Sequence, residues 1–171
     1  NNPTGTVYSK ETLQMIADIA VKHNIMVLSD EIYEKLIYDD NVKHISIASL
    51  NEQIAELTIT VNGFSKAYAM TGWRLGYACG PQEIIEQMTK IHQFAIMSAP
   101  TVSQYAAIEA IKYGDGDIAK MLEQYDARRR IMVNGFNQIG LSCFEPKGAF
   151  YAFPCIRSSG LSSDEFCERL L

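Results

Sequence analysis

Leu13, Ile16, Ala17, Ala20 and Val21 recur at helical spacing, and a continuous apolar run, Ile25-Met26-Val27-Leu28, follows within a few residues. The first pattern demands a helix with one buried stripe. The second is too short for a helix and is bounded by Asn24 and by Ser29-Asp30, so it reads as a strand buried on both faces. A chain carrying both can bury them together only by laying helices on a sheet. Ser9 stands where an N-cap is wanted and Asn24 where the helix should close. Leu57 to Val61 alternates leucine, threonine, isoleucine and valine, as a second strand would. Trp73 to Cys79, between Gly72 and Gly80, reads as a third. The order of helix, strand, connection and strand predicts an α/β layer with a parallel component.

Helices dominate the rest. Pro81 suits a first helical position, with Ile84, Ile85, Met88 and Ile91 along one face. Val102 to Tyr113 is the next helix, its apolar positions Val102, Tyr105, Ala106, Ile108 and Ile111. Gly114-Asp115-Gly116-Asp117 reads as a turn. Ile118 to Gln138 predicts a long helix with Met121, Leu122, Tyr125, Ile131, Met132 and Phe136 as contacts, stopped by Gly140. Ser142 to Glu145, the turn Pro146-Lys147-Gly148, and Ala149 to Phe153 read as a strand pair, with a final helix from Ser163. The expected organisation is a larger layer over residues 1–118, a connecting helix over 119–139 and a smaller lobe over 140–171.

With 47% apolar residues among 171 the chain can build a core, which excludes disorder as its main state. A net charge of −5 argues against nucleic acid and anionic membranes as partners, and no apolar run approaches the ~20 residues of a membrane span. Cys79, Cys143, Cys155 and Cys167 form no close pair and His23, His44 and His92 are scattered, so neither a zinc site nor a disulfide framework is expected. Reduced cysteines fit a cytoplasmic protein. Arg128-Arg129-Arg130 reads as a solvated helix face with local ion pairs. The chain opens on Asn1 rather than Met and stops within a helical pattern, so a piece of a longer polypeptide is expected.

The residues that invite chemistry sit at strand ends, where open α/β sheets bind ligands. Asp30 and Tyr33 follow the first strand, Ser65 and Lys66 follow the second, Arg74 lies eight residues beyond Lys66, and Asn2 opens a Pro-Thr-Gly turn. Each alone has an ordinary explanation as a cap, a solvated loop charge or a packed ring. Together they form a pattern: Asn-Pro-Thr-Gly, then Ser-Asp-Glu-Ile-Tyr, then Gly-Phe-Ser-Lys-Ala-Tyr-Ala-Met-Thr-Gly-Trp-Arg-Leu-Gly-Tyr. In order and spacing it resembles the class I/II aminotransferases of pyridoxal-phosphate fold type I, the aspartate and aromatic aminotransferases in particular. The resemblance runs on to Pro146-Lys147-Gly148-Ala149-Phe150-Tyr151 and so covers nearly the whole chain; residues 65–76 carry its most specific part.

That resemblance implies a fold: part of a large domain with a mixed, mostly parallel sheet, plus the start of a smaller α+β domain. It also implies pyridoxal 5′-phosphate as cofactor, no metal, amino acid and 2-oxo acid as substrates, and a homodimer in the full-length protein. Lys66 is then the residue linked to the cofactor aldehyde and afterwards the general base, a task that burial and nearby cationic charge make possible for an amine. Asp30 pairs with the pyridine nitrogen and keeps it protonated. Tyr33 and Asn2 donate to the phenolic oxygen. Arg74 grips the phosphate through its planar fork, and Ser65 adds a hydroxyl. Asp30, Tyr33 and Lys66 form the catalytic set. One departure stands out: the residue three before the lysine is often Ser or Thr in the family and here is Gly63.

Weaker candidates are Tyr68, Tyr77 (core packing favoured), the segment Met97 to Gln104 near a neighbour's active site, and Phe150 and Tyr151 near a substrate entrance. The same residues serve other fold type I reactions, such as a β-lyase, and aminotransferase-like domains also act as sensors in transcription regulators. The phosphate-binding glycine loop, the ring-stacking aromatic residue and the substrate-carboxylate arginine of the family have no matching position here. The 171 residues alone are therefore expected to bind cofactor weakly and transaminate poorly.

Overall fold

A computed structural model of the chain describes residues 1–39 and 41–171. These form two compact units. One comprises Tyr8–Lys35 and Lys43–Ala119; the other comprises Asn1–Val7, Leu36–Val42 and Lys120–Leu171.

The first unit is built on a three-stranded sheet with order β1-β2-β3: β1 (Val27–Asp30), β2 (Thr58–Gly63) and β3 (Gly76–Cys79). β1 and β2 run parallel, with Val27 opposite Thr58 and Asp30 opposite Val61. β3 runs antiparallel to β2, with Gly63 opposite Gly76 and Thr60 opposite Cys79. The sheet is therefore mixed. Helix α1 (Lys10–His23) is capped as the sequence suggests: Ser9 accepts the Thr12 amide, and Asn24 takes the left-handed conformation at φ 52°. The Ile25 amide returns to the Ala20 carbonyl at 2.9 Å, so Ile25 and Met26 close the helix and the strand starts later than expected, at Val27.

The face α1 buries is Leu13, Ala17 and Ala20. It packs with Ile47 of a short 3₁₀ turn and with Ile54 of helix α2 (Glu52–Ala55), Ile54 being fully enclosed. Full burial of a side chain that size contributes about 1.5–3 kcal/mol. A second core joins Phe64 and Met70 to Ala107 of helix α4 (Thr101–Tyr113).

Several expectations need correction. Thr71–Trp73 is a 3₁₀ turn, so the third strand begins only at Gly76. Gly114 to Asp117 is not a turn, because helix α5 (Asp115–Gln138) starts directly after Gly114. The Ile118 amide bonds to the Gly114 carbonyl at 3.0 Å, and Asp115 and Asp117 occupy the first turn, where carboxylates favour a helix. Of the apolar positions read in α3 (Gln82–Ala95), Met88 and Ile91 are exposed and Ile84 and Ile85 half-buried; in α4 Val102, Tyr105 and Ile111 are exposed, while Ser103 and Ala107 are the residues it buries. Ala107 packs against Phe64 and Met70 and Ser103 bonds to the Trp73 carbonyl, a close approach to the turn between β2 and β3 that small side chains permit.

In the second unit Arg129 of α5 departs from the solvated face expected of the arginine run. It is nine-tenths buried, donates to the Pro146 carbonyl at 2.7 Å, pairs with Glu145 at 3.0 Å and with Asp126, and lies over the Tyr38 ring at 4.8 Å. Arg130 keeps to the expectation, exposed and paired with Asp126 at 2.7 Å. Burial pushes the Tyr38 phenol up to about 12, against the pull of Arg129. The segments Ser142 to Glu145 and Ala149 to Phe153 are not strands. The Cys155 amide bonds to the Ser142 carbonyl at 2.7 Å, the Ala149 amide to the Leu36 carbonyl at 2.9 Å, and Gly148 forms an isolated antiparallel bridge with Ile37. An extended run becomes a strand only with a ladder of partners. Ile131 and Met132 are exposed, and Val133 is the buried residue on that stretch of α5. Helix α6 (Ser163–Leu170) opens on a capping box of Ser162 and Glu165.

Candidate functional site

The register of the sheet fixes what lies along one of its edges. β1 and β2 run the same way, so Asp30, the last residue of β1, and the residues after Gly63 emerge together. β3 runs back, so the residues just before Gly76 share that edge. Neighbouring strands lie ~4.8 Å apart. Asp30, the Ser65–Lys66 turn and the Arg74 turn are thus gathered within about two strand spacings, although 44 residues of sequence separate the first from the last.

Each is held by its surroundings. The Asp30 Oδ1 accepts the Ile32 amide at 3.1 Å, and the Glu31 amide continues the parallel pairing to the Val61 carbonyl at 2.9 Å. Tyr33 lies in the turn that follows, closed by the Glu34 amide on the Glu31 carbonyl at 2.9 Å, and is half-buried. After β2 the Phe64 amide bonds to Leu75 O and the Met70 amide returns to Phe64 O. Phe64, Ala67 and Met70 are buried, which leaves Ser65 and Lys66 half-buried on the turn. Arg74 adopts the left-handed region at φ 50°, a placement that costs a non-glycine residue roughly 1–2 kcal/mol. It is stabilised where it stands: Arg74 Nη1 donates to Thr71 O at 2.9 Å, and the buried Ser103 hydroxyl donates to Trp73 O at 2.7 Å. Within the segment Met97 to Gln104, Ser103 is therefore the residue that supports the Arg74 turn.

Gly63 meets a steric requirement. A Cβ there would lie 3.0 Å from both Gly76 Cα and Leu75 O, backbone atoms of the neighbouring strand. The Ser or Thr common at this place cannot be added without moving β3 away. Gly63→Ser is expected to destabilise the protein by about 1–3 kcal/mol, read as a lower denaturant midpoint with unchanged slope.

Asn2 belongs to the other unit. It is exposed, in a turn closed by the Gly5 amide on the Asn1 carbonyl at 2.8 Å. Gly5 stands at φ 72°, where a Cβ would meet Pro146 Cβ at 2.5 Å, so the Pro-Thr-Gly motif needs its glycine. Tyr68 lies tilted against Phe64 at 5.3 Å with the Lys35 ammonium 5.4 Å from its ring; Tyr77 meets Phe64 edge-on at 6.1 Å but is exposed, not the core residue expected. Phe150 lies between the Tyr125 and Tyr151 rings, at 5.4 and 5.1 Å.

Sequence reading missed a network beside Asp30. Glu31 is 7% exposed and its carboxylate receives Ser29 Oγ at 3.1 Å and Ser46 Oγ at 2.7 Å, with His44 Nε2 at 2.7 Å. Burial raises the Glu31 pKa, but His44, Ser46 and Ser29 outweigh it and hold the carboxyl below its ordinary range. Nothing in the spacing of Glu31 and His44 announces this pair.

The gathered groups are a carboxylate, a phenol, a hydroxyl, an ammonium and a guanidinium. As a donor set they suit a small aromatic base carrying a phosphate: one anion for a protonated ring nitrogen, one amine for an aldehyde, one guanidinium for the phosphate. Comparison with known proteins gives the family. The family model for aminotransferases of class I and II matches residues 1–171. The chain belongs to that family. It is 53% identical over 171 residues to the Bacillus subtilis protein YugH and 49% identical over 172 to an aspartate aminotransferase of Pyrococcus abyssi. Among solved structures, an aromatic aminotransferase from Pyrococcus horikoshii superposes with a TM-score of 0.93 at 48% identity, covering 98% of this chain and 45% of that one. An N-succinyldiaminopimelate aminotransferase from Mycobacterium tuberculosis gives 0.91 at 34%, covering 99% of this chain and 44% of that one. The fold is that of the fold type I aminotransferases, in part: the chain takes up 44% of the length of both relatives, while they cover 100% and 99% of it. Among the described residues no helix is long and apolar enough to cross a membrane.

Proposed function

We propose that the complete protein transfers an amino group from an amino acid to a 2-oxo acid, with pyridoxal 5′-phosphate held at the sheet edge of Asp30, Lys66 and Arg74. The convergence of these three residues on one edge, in a chain of this family, is the observation that supports the reading. When bound, the cofactor supplies an electron-withdrawing ring that spreads the charge left by Cα–H cleavage.

The chain's own residues do the rest. The Lys66 amine would hold the cofactor aldehyde until the donor's amino group displaces it; the freed amine would then take the proton from the substrate Cα and return it at C4′. The Asp30 carboxylate holds a proton at the ring nitrogen. Tyr33 and Asn2 donate hydrogen bonds to the phenolic oxygen, where donors favour the anion. Arg74 and Ser65 bind and orient the phosphate. Residues 1–118 belong in this reading to the cofactor-binding domain, 119–139 to a connecting helix and 140–171 to the smaller domain. Aromatic amino acids or aspartate are the proposed donors, in keeping with the names of the relatives, and a cytoplasmic homodimer is the proposed working form.

The test is to mix the complete protein with amino donors and 2-oxoglutarate. Glutamate should form in step with donor loss. Release of pyruvate with ammonia or thiol, and no glutamate, contradicts the proposal and favours a β-lyase built on the same residues.

A further inference from the structure

Glu31 separates the two residues whose placement matters most on β1 and its turn, Asp30 and Tyr33. Every polar group it has is engaged. Its amide donates to Val61 O at 2.9 Å and its carbonyl accepts the Glu34 amide at 2.9 Å. One carboxylate oxygen takes the Ser29 and Ser46 hydroxyls and the other faces His44 Nε2. Its main chain therefore ties the end of β1 to β2 and starts the turn that carries Tyr33. Its side chain fastens that junction to the segment His44–Ser46, 13 to 15 residues further on. The Glu34 carboxylate lies within 4.8 Å of the Glu31 and His44 ligand atoms.

Among the described residues, the Asp30 side chain has one fixed reference, the Ile32 amide at 3.1 Å. That amide follows directly after Glu31. Where Ile32 N–H points depends on how firmly Glu31 is held, and an acceptor of three donors from two segments admits one arrangement where an apolar residue would admit several.

We infer that Glu31, through its side-chain anchorage to Ser29, His44 and Ser46, is a positioning residue that fixes the Asp30 carboxylate and the Tyr33 turn toward the cofactor ring. This rests on the function proposed above. Glu31 touches neither cofactor nor substrate in this account; it acts through its neighbours.

The experiment uses the complete protein with Glu31→Ala, Glu31→Gln and, as a control on the site itself, Asp30→Asn. Amide hydrogen exchange at Ile32 in the cofactor-free protein reads the Asp30 contact directly. Glu31→Ala should speed exchange at Ile32 and Tyr33 by about tenfold or more and leave the α1 amides of Ala17 and Ala20 unchanged. It should also speed cofactor release and lower kcat by about tenfold with little change in donor KM, the mark of a misplaced catalytic group. Glu31→Gln keeps an oxygen for both hydroxyls and should return exchange and kcat to within about threefold of wild type. Unchanged exchange at Ile32 overturns the inference, as does a rise shared equally by the α1 amides, which marks Glu31 as a fold residue only. If Asp30→Asn leaves cofactor affinity and turnover at wild-type values, the site reading fails instead, whatever Ile32 does in Glu31→Ala.

Discussion

Lys66→Ala in the complete protein is expected to abolish the covalent hold on the cofactor and to lower turnover by about four orders of magnitude. Two tasks vanish together. No other group described on that turn can bond an aldehyde, and no other can carry a proton at the substrate Cα. The fold should survive. Lys66 is half-buried on a turn anchored by Phe64, Ala67 and Met70, so stability should change by no more than about 0.5–1 kcal/mol. Steady-state kinetics with an aromatic or aspartate donor, alongside a thermal melt, check both halves. Loss of turnover with a lowered melting temperature points to collapse of the turn; retained turnover contradicts the role given to Lys66.

Asp30→Ala is the second large effect, and it should fall on chemistry more than on binding. Removing one fixed charge that stabilises the reacting state costs roughly 10²–10³ in kcat. The phosphate contacts at Arg74 and Ser65 stay, so cofactor affinity should drop far less. Loss of the Ile32 amide's acceptor should cost about 1 kcal/mol of stability, since Asp30 is exposed and water can enter in its place. Comparing kcat with the cofactor dissociation constant, measured by equilibrium dialysis, separates the two. An affinity loss as large as the kcat loss contradicts the assignment of Asp30 to the ring nitrogen.

The gathering of these residues was legible because strand ends and motif residues coincide in sequence. Asp30 closes an apolar run and Lys66 follows another, and parallel pairing of such runs leaves few ways to arrange them. Even so, the register that brings Arg74 back to the same edge came from β3 running antiparallel, which the periodicity of Trp73 to Cys79 does not reveal. Other features were out of reach for physical reasons. Pattern reading favours bulk and marks Val102 and Tyr105 as the apolar positions of α4, where Ser103 and Ala107 are the residues buried. The apolar runs around Phe144 and Phe150 look like strands, yet a ladder needs partners that sequence cannot supply. The Glu31–His44 pair joins residues 13 apart with no recurring spacing, and burial of a carboxylate shows only once its three donors surround it. Arg129 is the same case: among three adjacent arginines, packing against Tyr38 and Pro146 selects one.

The central claim is that Lys66 is the cofactor-bearing residue of this sheet edge. Reduction of the cofactor-loaded complete protein with borohydride, followed by proteolysis and mass mapping, tests it most directly. The peptide containing Lys66 should carry the added mass of a reduced pyridoxyl phosphate, absent in Lys66→Ala. Stable labelling of another lysine, such as Lys35 or Lys147, with Lys66 unmodified would contradict it.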